Sequence, residues 1–166
     1  MTNFENYKQQ YLNYKEAFDY ILDPKNHLYL IEYLGESETK ILKLVFNTFI
    51  EKLNNHQTGL FHPESILTAD TVKQLTGLSY YQQRKAIQHL EKYFEIIKYN
   101  YTYLYRALEI NFKNIWKLYY NFSHFKHTSI KIKKLNKQQL IQIILKHQDR
   151  LSYYFEEEDE EEEELL

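Results

Sequence analysis

Between Ser79 and Gln88 the chain reads S-Y-Y-Q-Q-R-K-A-I-Q, a set of side chains suited to base edges and phosphates. Gln can pair bidentately with adenine and Arg with guanine in the major groove of a duplex. Lys and Arg neutralise phosphates spaced along a backbone. On a helix capped by Ser79 and running from Tyr80 to Tyr93, the apolar Ala86, Ile87 and Leu90 share an inner face. The residues near its start are Tyr80, Tyr81, Gln82, Gln83, Arg84 and Lys85, followed one turn later by Gln88. Of these, Tyr80, Tyr81, Gln82, Arg84, Lys85 and Gln88 are the predicted base- and backbone-facing set. Further on, Lys98, Asn100, Tyr101, Thr102 and Arg106 fall in or beside a β-type segment and offer donors to phosphates or a minor groove.

Other chemistries find little support. His124 and His127 have the i,i+3 spacing that a helix could turn into a metal pair, but no third His or carboxylate stands near them. His56 and His62 fall in a polar stretch. With no Cys there is no thiolate nucleophile, disulfide framework or Cys-based zinc site. Three glycines, Gly35, Gly59 and Gly77, supply no phosphate-cradling loop. No Ser–His or paired-carboxylate arrangement suggests catalysis. The expectation is a protein that is not an enzyme and uses neither metal nor cofactor. Tyr99, Tyr101, Tyr103 and Tyr105 alternate and either pair across strands or stack unpaired bases.

The net charge of −2 conceals strong polarity. Residues 1–72 hold six basic and ten acidic side chains, residues 73–150 hold fifteen and four, and the last sixteen hold none and nine. The central block is thus +11, and such asymmetry points to a polyanionic partner. Lys73, Arg84, Lys85, Lys92, Lys98 and Arg106 cluster there against Glu91, Glu95 and Glu109. No apolar run is long enough to span a membrane and no export leader is present, so a cytoplasmic location without membrane partners is expected. The many Asn, Lys, Ile, Tyr and Phe residues have AT-rich codons, which suggests a low-GC bacterium or its mobile element.

These side chains require elements to hold them. Phe4, Tyr7, Tyr11, Tyr14, Phe18 and Ile21, spaced 3-4-3-4-3, predict one helix over 4–22, capped by Thr2 or Asn3 and ended by Pro24. That stripe packs either on its own domain or on a partner subunit. A short apolar stretch at 26–36 breaks at Gly35. A second helix is expected at Glu38–Leu53, with Ser37 as cap and Leu42, Val45, Phe46, Phe49 and Leu53 buried. A loop at 54–63 leads to a short helix, Ala69–Leu75, capped by Thr68 and ended by Gly77. After the helix Tyr80–Tyr93, strands at 94–99 and 103–112 make a hairpin around Asn100, Tyr101 and Thr102. Helices follow at 114–122 and 137–154, the latter capped by Asn136, with an irregular basic stretch, 123–134, between them. Leu140, Ile144, His147, Leu151 and Tyr154 stripe the last helix.

Helix, short helix, three-residue turn, helix and β-hairpin, carried by TADTVKQLTGLSYYQQRKAIQHLEKYFEIIKYNYTYLYRALEINF from Thr68 to Phe112, resembles a winged helix-turn-helix. Gly77-Leu78-Ser79 is similar to the family's turn, and Arg84-Lys85-Ala86-Ile87 through Leu90-Glu91-Lys92 to its recognition helix. Glu95-Ile96-Ile97 and Ala107-Leu108-Glu109-Ile110 resemble the wing strands. With the helix from Glu38 the resemblance covers about residues 38–112. It is broadest with bacterial, phage and plasmid regulators and replication initiators. Two positions depart from the pattern: Gln83 replaces a buried small aliphatic residue, and Phe94 replaces a helix-ending Gly. An unsatisfied polar residue in a core costs free energy, so Gln83 would rotate the helix and move the base-facing set.

The expected fold is mostly α with a small β-hairpin, a winged helix-turn-helix core flanked by N- and C-terminal helices. Residues 1–24 form an aromatic-striped helix, 37–112 the winged-helix domain, 113–155 C-terminal helices, and 156–166 a disordered acidic tail. The resemblance implies sequence-specific binding of double-stranded DNA, as a transcriptional regulator or a replication or maintenance factor. A homodimer would form through Phe4, Tyr7, Tyr11, Tyr14 and Phe18 or through Leu140, Ile144 and Leu151. The acidic tail either solvates the chain, folds over the basic face or meets a protein partner. Two alternatives stand beside duplex binding: a protein-interaction module that leaves DNA untouched, and a single-strand binder using the Tyr series.

Overall fold

The computed structural model describes residues 2–100, 106–135 and 137–146, with Asn100 described by its backbone alone. Among these residues the chain forms eight α-helices and a three-stranded antiparallel sheet. It divides into two units, residues 1–125 and 126–166.

Thr2 opens α1 (Asn3–Asn13) with a reciprocal cap. Its hydroxyl accepts from the Glu5 amide, and the Glu5 carboxylate accepts from the Thr2 amide. The one helix expected over 4–22 is two. Tyr14 (φ −109°, ψ 7°) breaks the ladder before α2 (Lys15–Leu22). The Tyr14 ring lies 5.9 Å from Phe112 and 6.1 Å from Trp116, centroid to centroid. That contact is tertiary, and the apolar spacing runs on across the break without registering it. Asp23 ends α2 and caps a 3₁₀ turn at Pro24–Asn26.

Helix α3 (His27–Leu34) stops at Gly35, whose φ of 111° and ψ of 156° belong to a region that is essentially glycine-only. Gly35 also starts α4 (Glu36–Asn55), two residues ahead of the expected start. The predicted stripe Leu42, Val45, Phe46, Phe49 and Leu53 is buried, together with Thr39 and Ile41. Phe18 packs on Phe46 at 4.8 Å and on Tyr11 at 5.2 Å, while Phe49 packs on Phe112 at 5.2 Å and Phe61 at 5.9 Å. Phe4, Tyr7, Tyr11 and Tyr14 are half-buried against this core, and Phe18 is fully buried. The N-terminal stripe therefore packs within its own chain. Asn3 fixes its start by exchanging two hydrogen bonds with the Phe61 backbone, 2.8 and 3.0 Å long.

The stretch after α4 holds a strand that the sequence pattern did not signal, β1 (Ser65–Ile66), too short for alternation to be read. Helix α5 (Ala69–Thr76) is capped by Thr68, and Gly77 ends it at φ 75°. Helix α6 (Tyr80–Gln88) begins with a second reciprocal cap, between Ser79 and Gln82. The helix expected to reach Tyr93 as α-helix instead becomes a π turn at His89–Tyr93. The left-handed residue that turns the chain is not at Phe94 but one later, Glu95 (φ 53°). The side-chain amides of Asn111 and Asn114 donate to the Glu95 carbonyl at 2.9 and 2.8 Å, holding a conformation that a non-glycine residue adopts at a cost.

Strands β2 (Ile97–Asn100) and β3 (Ala107–Ile110) are antiparallel, and the sheet order is β1-β3-β2. Asn100 pairs with Ala107, so it belongs to a strand rather than to the turn expected around it. Tyr101, Thr102, Tyr103 and Tyr105 lie outside the described residues. After a 3₁₀ turn at Phe112–Asn114, α7 runs from Ile115 to Lys134. The basic stretch 123–134, expected to be irregular, is helical. It contains no Pro or Gly and carries straight-chain Lys, so nothing in it breaks a helix already begun.

In the second unit, α8 (Lys137–Lys146) buries none of its residues. Leu140 is half-buried and Ile144 is 51% exposed. Asn136, His147, Leu151, Tyr154 and the acidic tail lie outside the described residues. Among the described residues no helix is long and apolar enough to cross a membrane.

Candidate nucleic-acid interface

Helix α6 is seated by its apolar face. Ala86 and Ile87 are buried, as is Leu90 in the π turn that follows. Gln83 is buried with them, fully enclosed. It is satisfied: its Nε2 donates to the carbonyls of Ala69 and Leu78, both at 3.0 Å, and its Oε1 accepts from Arg106 Nη1 at 2.6 Å. The polar residue therefore does not rotate the helix. It links α5, the turn and the strand-side Arg106 to α6.

With that register the outer face carries Tyr80, Tyr81, Gln82, Arg84, Lys85 and Gln88, all exposed. Four of them, Tyr80, Tyr81, Gln82 and Lys85, already have partners. The Tyr80 hydroxyl donates to Asp70, whose carboxylate raises the phenol above its usual range, and Lys73 lies 5.3 Å over the ring. Lys85 sits 4.8 Å over the Tyr81 ring, one turn earlier. The Gln82 Oε1 is spent on the Ser79 amide as a cap, at 2.9 Å. Arg84 and Lys85 have no carboxylate within ion-pair distance among the described residues.

The hairpin sorts its residues differently from the expectation. Side chains alternate across a strand, and Lys98 falls on the face away from α6. It lies opposite Glu109 in the register and lines a depression with Tyr7 and Gln10. Tyr99, its neighbour, faces α6. Its backbone amide donates to Glu91 at 2.7 Å, which engages one of the acidic groups in this region. Tyr80, Arg84, Ile87 and Gln88 from α6, with Tyr99 and Arg106 from the hairpin, line one pocket of about 350 Å³.

No family model matches the chain, and no curated protein or solved structure matches it either. The structure brings Tyr80, Arg84, Gln88 and Arg106 together and leaves Tyr81 and Lys85 beside them on the same helix. It does not bring Lys98 to them, and the side chain of Asn100, with Tyr101 and Thr102, is outside the described residues. In the sequence, Tyr99 stands out only as one member of an alternating series, and Gln83 only as a departure from the family pattern. The available signal was a Gln at a core position of a helix followed by an Arg just ahead of a strand. His124 and His127 are exposed on α7, and no group of three metal-ligating side chains occurs among the described residues.

The Gln83 network makes a stability prediction. Gln83→Leu keeps the volume but removes two donors and the Arg106 acceptor from a closed site. It should cost about 1–3 kcal/mol, read as a lower urea midpoint with the helical circular-dichroism signal intact. An unchanged midpoint would mean that the network contributes nothing to stability.

Proposed function

We propose that residues 68–112 act as a winged helix-turn-helix and bind duplex DNA, with α6 in the major groove. The observation that carries this reading is the outer face of α6, where Arg84, Lys85 and Gln88 are exposed on a helix otherwise held by its buried side. Helices of this kind read base edges with their N-terminal residues. Arg84 suits a guanine edge and Gln88 an adenine edge, Lys85 suits phosphate, and the exposed Lys73 and Lys92 add to the positive field. The role would be that of a transcriptional regulator or a replication or maintenance factor.

Dimerisation remains part of the proposal, narrowed to the second of the two expected surfaces. Because the N-terminal stripe is engaged in its own core, α8 is the better candidate surface, with Ile141, Ile143, Ile144 and Leu145 all exposed. The same residues favour the second reading, an interaction module, in which a protein partner covers α8 and DNA is not contacted.

Fluorescence anisotropy with a labelled mixed-sequence duplex at about 50 and 200 mM salt tests the proposal. Four phosphate contacts would weaken binding by about a hundredfold across that fourfold change in salt. Absence of duplex binding at the lower salt would reject it in favour of the interaction module.

A further inference from the structure

The pocket between α6 and the hairpin has a chemistry of its own. Two guanidinium groups, Arg84 and Arg106, line a space of about 350 Å³, and no carboxylate stands among the described residues that line it. Like charges gathered without a counter-ion are stabilised by an anion. The planar guanidinium fork matches phosphate or carboxylate through paired hydrogen bonds. Arg106 is preorganised for this. Gln83 holds one of its nitrogens at 2.6 Å and is itself fixed by two backbone carbonyls, while the other donors of the fork are not used by Gln83.

The rest of the lining is suited to a flat ring. Tyr80 and Tyr99 contribute aromatic surface, Ile87 contributes apolar surface, and Gln88 carries an amide that can both donate and accept at a base edge. The volume lies at the small end of the range for ligand pockets, roughly 300–1,000 Å³. A long cofactor would not be enclosed by it, whereas one nucleotide unit carries both an anion and a flat, hydrogen-bonding ring.

We infer that this pocket takes a single nucleotide, its phosphate held by Arg84 and Arg106 and its base set against Tyr80 and Tyr99 with Gln88 at the edge. The inference rests on reading this face as a nucleic-acid surface, and it deepens that reading. Arg84 and Gln88 would serve both the groove and the pocket, so an occupied pocket and a fully paired duplex would compete for them. The nucleotide has two sources with the same chemistry, a free mononucleotide or one extruded from a strand.

Titration calorimetry on the full chain tests this with five probes: dAMP, deoxyadenosine, inorganic phosphate, and duplexes with and without a single unpaired adenine. A free nucleotide as ligand requires dAMP to bind at least tenfold more tightly than either deoxyadenosine or phosphate. A strand-borne nucleotide requires the duplex with the unpaired adenine to bind at least tenfold more tightly than the paired one. In either case Arg106→Lys, which keeps the charge and loses the fork, should weaken the preferred probe tenfold or more. Arg84→Ala, at an exposed helix position, should do the same without disturbing the fold. If dAMP shows no advantage and the unpaired adenine gives none, the inference is overturned, even where the paired duplex binds and the groove reading survives. If dAMP binds as required and no duplex does, the pocket stands and the groove reading fails.

Discussion

Replacing Arg84 and Lys85 together by alanine is expected to weaken duplex binding by about a hundredfold. Both side chains are exposed on α6, and neither has a carboxylate partner among the described residues. Alanine is the strongest helix former, and the inner face of Gln83, Ala86 and Ile87 is left alone. The urea midpoint should therefore stay where it is. The two losses should also differ in kind. A base-reading Arg84 relaxes sequence preference when removed, whereas a phosphate-binding Lys85 lowers affinity for all sequences and reduces the salt slope by about one. Single variants measured at two salt concentrations separate the roles. Undiminished binding by the double variant would place the DNA surface elsewhere on the molecule.

The largest stability effect should follow Phe18→Ala. Phe18 is fully buried, and its ring meets Phe46 at 4.8 Å, Tyr11 at 5.2 Å, Phe112 at 6.2 Å and Phe49 at 6.5 Å. It thus joins α1 and α2 to α4 and to the turn that leads into α7. Truncating an enclosed Phe removes its transfer free energy and leaves a cavity, at a cost of about 3–5 kcal/mol. Urea unfolding should show the midpoint falling accordingly. Leu60→Ala, at a position 66% exposed, serves as the control and should leave it unmoved. A small loss at Phe18 would mean that the N-terminal helices pack loosely on the core, and would return the aromatic stripe to candidacy as a subunit interface.

What the sequence made legible divides along the range of the forces involved. Thr2, Thr68, Ser79 and Gly77 were readable as helix boundaries because each acts on backbone groups within a few residues of itself. The buried stripe of α4 was readable because one face of a long helix must repeat every three or four residues. The break at Tyr14 was not, because the apolar spacing continues through it, and the ring contacts that accompany it, with Phe112 and Trp116, are far away in the sequence. The turn at Glu95 was missed for the same reason: Asn111 and Asn114 supply the bonds that hold it.

The candidate site divides in the same way. Arg84, Lys85 and Gln88 could be assigned to the outer face once Ala86 and Ile87 were assigned to the inner one. Lys98 could not be placed by its own neighbours. Its face depends on the register Lys98↔Glu109, which is fixed by the pairing of two strands. The sequence presents Arg106 as a wing cation, yet its guanidinium meets Gln83, the residue whose polarity fits its core position least. A core polar position and a strand arginine explain one another only when both are seen together.

If α6 is the duplex-binding element, backbone-amide NMR will locate the duplex there. Titrating a mixed-sequence duplex into the labelled full chain at low salt should shift the amides of Tyr81, Arg84, Lys85 and Gln88 first and furthest. The amides of Leu42, Val45 and Phe49 in α4, buried behind them, should stay still. Shifts confined to other elements, or none at all with duplex in excess, would mean that α6 does not bind duplex.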